Sequence, residues 1–150
     1  MKWLVKEEPA NYPFSRFVED GTTVWSGVRN PVAQKNLRAM KPGDNVFYYH
    51  TGNEKAVVGV AKVASAPRPD PSDKDGKLYV VDLVPEKALK QPVTLAAVKA
   101  VKRFADFPLV RLPRLSVMPV TDEQWAWIEE SGRGCPREGP GPCLRPRGSG

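Results

Sequence analysis

The chain has 150 residues, 41% of them hydrophobic, and a formal net charge of +6, which suits one domain with a single core of ordinary size. Its two cysteines, Cys135 and Cys143, lie in the last twenty residues with Arg133, Arg137, Arg145 and Arg147 against Glu138. The part before carries 19 basic and 16 acidic residues, a charge of only +3. That distribution excludes a disulfide framework or thiolate metal centre in the domain, and binding driven by bulk charge alone.

Lys2 to Val5 reads as a short strand ended by Pro9 and Pro13, and Phe14 to Glu19 as a short helix. Asp20-Gly21 turns the chain toward Trp25. The next run, Trp25-Ser26-Gly27-Val28-Arg29-Asn30-Pro31, reads as a binding turn feeding a helix. Asn30 is a favoured N-cap, Pro31 suits the first helical position, and Ala33, Leu37 and Met40 form an apolar stripe over Val32 to Met40. Lys41-Pro42-Gly43-Asp44 is a turn before a strand at Val46 to His50, and Ala56 to Ala64 is its antiparallel neighbour, with Gly59 marking a bend. Pro67 to Lys77, with three prolines and three aspartates, reads as a polar loop. Leu78 to Val84 resumes as a strand, Leu95 to Lys102 as a helix capped by Thr94, and Leu115 to Val117 as a short strand. Thr121 and Gln124 have the spacing of a capping box before Trp125, Trp127 and Ile128. From Ser131 ten of the last twenty residues are Gly or Pro, the composition of a disordered tail. The domain is therefore expected over residues 1–130 and the tail over 131–150.

Several residues carry chemistry that a packed position would not need. Trp25 can serve as a stacking wall for a flat ring or as a plug at one end of the core, and Trp3 also stands beside polar groups. Gly27 allows close backbone approach. The Asn30 amide, the backbone at Gly27 and Val28, Ser116 and Lys6 can supply edge hydrogen bonds, while capping alone also justifies Asn30. Arg29 can hold a phosphate or fix the turn. Alternation in the first strand places Leu4, Lys6 and Glu8 on one side and Trp3, Val5 and Glu7 on the other. In the strand at Val46 to His50, Tyr48 and His50 form the polar-tipped face. Lys99, Lys102, Arg103, Arg111 and Arg114 make a basic stretch suited to phosphate or to solvent. Trp125 and Trp127, two apart on a helix, read as packing residues on different faces.

Five runs together carry a family resemblance: Trp3-Leu4-Val5-Lys6-Glu7-Glu8-Pro9, the Trp25 turn, Asn36 to Met40, Asp44 to His50, and Arg114-Leu115-Ser116-Val117. In this order and with few gaps they resemble the EVE domain over about Lys2 to Glu130. The resemblance implies an α+β fold, a PUA-like antiparallel β pseudo-barrel flanked by short helices, akin to YTH and ASCH domains. It further implies a pocket for a modified nucleobase: 5-substituted cytosine in DNA, or a modified base in RNA. The expected base-binding set is Trp3, Lys6, Glu8, Trp25, Gly27, Val28, Asn30, Tyr48, His50 and Ser116, with Arg29 and Arg114 on phosphate. Many relatives have Ser where Glu7 stands and an aromatic where Pro31 stands, and both positions border the implied pocket.

Catalysis has little to work with here. No nucleophile elbow, Walker loop, metalloprotease motif or dinucleotide fingerprint occurs, and His50, the only histidine, leaves the usual zinc ligand sets unfilled. The expectation is a monomeric, non-enzymatic reader of DNA or RNA with no catalytic residue, metal or cofactor. Charged residues near the start and the lack of any apolar run near the roughly 20 residues of a membrane span suggest an intracellular protein, cytoplasmic or, in a eukaryotic cell, nuclear. Two alternatives stay open. One is an ASCH-like amidohydrolase built on Lys6, Glu8 and a hydroxyl at Ser26 or Ser116; the other is a small-molecule sensor or interaction module.

Overall fold

The structure, a computed structural model, describes residues 2–132 except Gly27, Arg29, Ser72, Gly76 and Pro113, and the side chain of Arg103. The expected Gly27 and Arg29 contacts and the tail beyond residue 132 thus lie outside the described residues. Seven strands form one sheet: β1 (Lys2–Glu7), β2 (Thr23–Trp25), β3 (Asn45–His50), β4 (Ala56–Val63), β5 (Arg68–Pro69), β6 (Tyr79–Thr94) and β7 (Val117–Val120). Their order is β2-β6-β4-β3-β1-β7, with β5 on β6. The pairing is antiparallel throughout except between β1 and β3. That parallel pair needs a long crossover, supplied here by α1 (Phe14–Asp20), β2 and α2 (Pro31–Arg38).

The two central strands sort the side chains between two faces. Trp3, Val5 and Glu7 pair in register with Val46, Tyr48 and His50 on one face, which we call inner; Leu4 and Lys6 pair with Phe47 and Tyr49 on the outer face. The inner face packs under α1. Phe14 meets Tyr48 at 5.3 Å between ring centroids, and Phe17 stacks on Tyr48 at 5.6 Å. Gly59 of β4 is obligatory here: a Cβ built on it would overlap the Phe14 ring, so this glycine serves a close approach as well as the irregularity in the strand beside it. The outer face is covered by α5 (Asp122–Ser131), whose Trp125 stacks on Phe47 at 3.7 Å and 14°. Trp127 instead meets Phe104 edge-on at 5.6 Å, the separation expected of two helical residues two apart.

Between Tyr48 and Tyr49 the β3–β4 register shifts: Tyr48 pairs with Gly59 but Tyr49 with Val57, leaving Val58 as the extra residue of a bulge. Further shifts mark the β4–β6 ladder, where Pro85 pairs with Ala61 just past one of them. These irregularities explain why β6 runs to Thr94 instead of ending at Val84: its prolines sit where the ladder is already broken, and the exposed stretch from Glu86 to Ala88 gives no apolar signal.

Three other boundaries differ from expectation. α3 (Leu95–Lys99) ends before Lys102, which opens a 3-10 turn, and a short α4 (Pro108–Arg111) follows with Pro at its first position. The last strand spans Val117–Val120 instead of Leu115 to Val117, because Leu115 turns into a cleft while Val5 pairs with Val117. The polar loop after Pro67 contains the two-residue β5. Capping matches the sequence at three places: Asn30 Oδ1 accepts from Val32 N and Ala33 N, Thr94 Oγ1 from Ala97 N, and Thr121 with Gln124 closes a capping box.

Candidate nucleic-acid interface

Two runs far apart in sequence meet beside the N-terminus of α2. Asn30 and Val32 form one wall of a cleft of about 340 Å³, and Arg111, Leu112, Arg114 and Leu115 form the other. Its floor is apolar, and Val32 and Leu112 remain 53% and 45% exposed, so the cleft lies open to a partner. Asn36 Nδ2 donates to the Val117 carbonyl at 2.8 Å, which fixes α2 against the late run. Lys6 N donates to the Ser116 carbonyl at 2.9 Å, which ties the same run to β1. Among the described residues no carboxylate pairs with Arg111 or Arg114.

The Trp25 turn is held from behind by Gln34, a buried amide that sequence inspection passed over. Its Nε2 donates to the carbonyls of Val28 at 2.7 Å and Tyr79 at 3.2 Å, and its Oε1 accepts from Tyr79 N at 3.0 Å. With three bonds made, Gln34 clamps the turn to β6. The available signal was its position one turn after Asn30 on the buried side of α2, between Ala33 and Leu37.

Trp25 itself is 6% exposed and meets Tyr48 edge-on at 5.6 Å and 81°. Tyr48 is buried, and its hydroxyl donates to the Tyr12 carbonyl. Burial first, then the charges of Glu7 and Tyr12, push its phenol well above the ordinary range. Glu7 shares the inner face with Tyr48 through the β1–β3 register, and its partly buried carboxylate accepts from Glu8 N at 2.9 Å. Glu7 was not among the expected base-binding residues. The period of two had placed it on the Trp3 and Val5 side, which is the inner face.

The remaining expected residues separate into distinct places. Trp3 is 2% exposed and its indole donates to Asp44 Oδ2 at 2.9 Å; this bond belongs to the core. Burial alone would raise the Asp44 carboxyl, but donation from Trp3 and Lys41 N holds it below the usual carboxylate range. His50 is engaged on both ring nitrogens: Nε2 accepts from Phe14 N at 3.0 Å, and Nδ1 lies 2.8 Å from Glu54 Oε1. Accepting at Nε2 leaves the proton on Nδ1 to donate to Glu54. Its role is to anchor α1 on β3. Val28 is buried with its carbonyl bonded to Gln34, and Ser116 is half-buried. Lys6 and Glu8 stand away from the Trp25 turn: Lys6 Nζ lies over the Tyr49 ring at 5.6 Å on the outer face, and Glu8 Oε2 accepts from Thr51 Oγ1 at 3.3 Å. The structure thus packs Trp25 on Tyr48 at the inner face, which Glu7 shares, and gathers Asn30, Arg114 and Leu115 around the cleft.

Known proteins share this fold. The EVE domain family model matches residues 1–131. Thymocyte nuclear protein 1 of Homo sapiens is 30% identical over 162 residues, spanning 84% of this chain and 71% of that protein. A solved structure from Rhodopseudomonas palustris is 45% identical, covers 87% of this chain and 92% of that one, and superposes with a TM-score of 0.83. The human THYN1 protein, solved in complex with 5-methylcytosine-containing DNA, superposes with a TM-score of 0.81 at 27% identity, covering 90% of this chain and 99% of that one. The mixed, curled sheet with its short helices is therefore the PUA-like pseudo-barrel that the sequence pointed to, and the chain belongs to the EVE domain family.

Proposed function

We propose that this domain is a non-enzymatic reader that takes a 5-substituted cytosine of DNA into the Trp25 end of the barrel. The observation that carries the reading is the meeting of Asn30 and Val32, at the end of the Trp25 run, with Arg111, Arg114 and Leu115 around one open cleft; Trp25 packs on Tyr48, which shares the inner face with Glu7. The human THYN1 protein, solved with methylated DNA, has the same fold and supports it.

Each group then has a task. Arg111 and Arg114 hold the phosphates that flank the extruded nucleotide, and Asn30, whose Oδ1 is committed to the cap, offers its amide nitrogen as a donor. Glu7 accepts from the exocyclic amine of cytosine, the donor by which that base is told from thymine. Trp25 is buried, so a base that stacks on it must displace what covers the indole. Extrusion from a duplex costs a few kcal/mol, and stacking returns about 1–3 kcal/mol per base; edge bonds must supply the rest. The amidohydrolase alternative is not favoured, because the Lys6 amine it requires lies on the outer face over Tyr49 while Trp25 packs on the inner-face residue Tyr48.

The test is equilibrium binding, by fluorescence anisotropy, to DNA and RNA carrying cytosine, 5-methylcytosine, 5-hydroxymethylcytosine or N6-methyladenine. Preference for 5-substituted cytosine by about 10- to 200-fold, the range one methyl-sized contact supports, is expected, and Glu7→Gln should reduce it. Arg114→Ala should weaken all DNA alike and lower the salt slope by about 1. Equal binding to all bases, or no binding, refutes the reading.

A further inference from the structure

The opposite face of the sheet carries a second, more basic recess. A cleft of about 250 Å³ opens between the β3–β4 turn and helices α3 and α4, and Lys6, Lys55 and Lys99 all line it. It runs on through Lys55, Leu95 and Lys99 into a neighbouring hollow of about 410 Å³. Leu95 and Leu109 form an apolar part of its lining, and Tyr49 and Thr51 contribute hydroxyls. We propose that this cleft binds a phosphate group, either of a free nucleotide or of a nucleic-acid strand passing over the outer face.

Three features point to an anion. First, the lining of the smaller cleft has three ammonium groups and no carboxylate. Two carboxylates border it: Glu8, which accepts from the Thr51 hydroxyl and lies beside Gly52, and Glu54, which lines the neighbouring hollow and is bonded to His50. The ammonium groups outnumber these carboxylates, and a dianion relieves the repulsion that remains between them. Second, Lys6 is half-buried and desolvation lowers its pKa, so an anion brought into the cleft favours its charged form. Third, Lys55 stands at φ +46° and its carbonyl accepts from Leu95 N at 2.8 Å. A left-handed non-glycine backbone costs free energy, and here it fixes the turn that carries Lys55 to the start of α3. The Tyr49 phenol, pushed up to about 12 by burial, stays protonated near neutrality and can donate to a phosphate oxygen.

The probe is inorganic phosphate, followed by ¹H–¹⁵N correlation spectra of the whole chain, with 5′-dCMP and an unmodified oligonucleotide as further arms. Saturable shifts at the amides of Thr51, Lys55 and Leu95 are expected. Lys55→Glu/Lys99→Glu should weaken the binding about ten- to hundredfold, the loss typical of charge-assisted bonds. Lys99→Glu alone, at an exposed helical site, gives the same sign if the double variant folds poorly. Tighter binding of 5′-dCMP than of phosphate identifies a nucleotide source, whereas shifts strengthened only by the oligonucleotide identify a strand. The proposal fails if none of the three ligands shifts these amides, or if the shifts persist unchanged in Lys99→Glu. Because phosphate alone is the first probe, that failure is separate from any failure of base reading at Trp25.

Discussion

Replacing Gly59 by Ala tests how the roof of the inner face is built. The added methyl would be directed into the Phe14 ring, and that ring has little room to yield. It is 5% exposed, meets Phe17 edge-on at 5.8 Å and Tyr48 at 5.3 Å, and its backbone N–H is held by His50 Nε2 at 3.0 Å. Relief requires either that α1 rise from the sheet, stretching the His50 bond, or that Phe14 leave its rotamer against two other rings. Overpacking of this kind costs about 1–3 kcal/mol. For a domain of this size that corresponds to a Tm lowered by about 2–12 °C, measured by thermal and urea denaturation.

The mechanism is separable from a simple loss of β propensity by a double-mutant cycle. Phe14→Leu removes the atoms that the methyl meets, so Gly59→Ala should cost less in that background. The coupling should be about 0.5–3 kcal/mol, favouring the double variant. Additive losses, or a Gly59→Ala variant as stable as the parent, would refute the close-approach account.

Asn30→Ala removes the acceptor for two helix N–H groups and should destabilise by about 1 kcal/mol. It should also weaken DNA binding if the side chain reaches the ligand, whereas Asn30→Asp keeps the cap and separates the two roles. Tyr49 and Tyr48 both have raised pKa values, Tyr49 to about 12. The folded protein therefore holds protons that the unfolded chain loses near pH 10, so stability should fall as pH rises from about 10 toward 12. A tyrosinate absorbance titration checks this: both phenols should ionise only with unfolding, and four phenols titrating together near pH 10 would contradict it.

Much of the fold was legible because local and global signals agreed. The Asn30-Pro31 cap, the Thr121 capping box and the β3 alternation each name an element by chemistry that needs no tertiary context. β6 was half missed because its second part is exposed, contains Pro85 and Pro92 and is held by ladder irregularities that follow no period. α4 was missed because four residues are too few to show helical periodicity. At the site, the Trp25 turn and Arg114 run were recognisable as separate runs. Their meeting depends on long-range bonds such as Asn36 to Val117, which no local pattern encodes. Lys6 and Glu7 show the reverse case. Alternation had already placed them on opposite faces, but only the β1–β3 register tells which face carries Tyr48, and so it is Glu7, not Lys6, that shares the face on which Trp25 packs.

The bulge at Val58 gives β4 two reading frames. On one side of it Gly59 answers to Tyr48 and α1; on the other Val57 answers to Tyr49 and the lysine cleft. A strand without the extra residue would present its side chains in a single alternation along its whole length. Losing Val58 itself would close the bulge with Gly59 still opposite Tyr48, Val57 opposite Tyr49 and Ala56 opposite His50, and would take away the local bend and added twist that set the two faces relative to each other. Substitutions on the two faces can accordingly drift apart in the course of evolution, but a change in chain length at this point would alter both faces together.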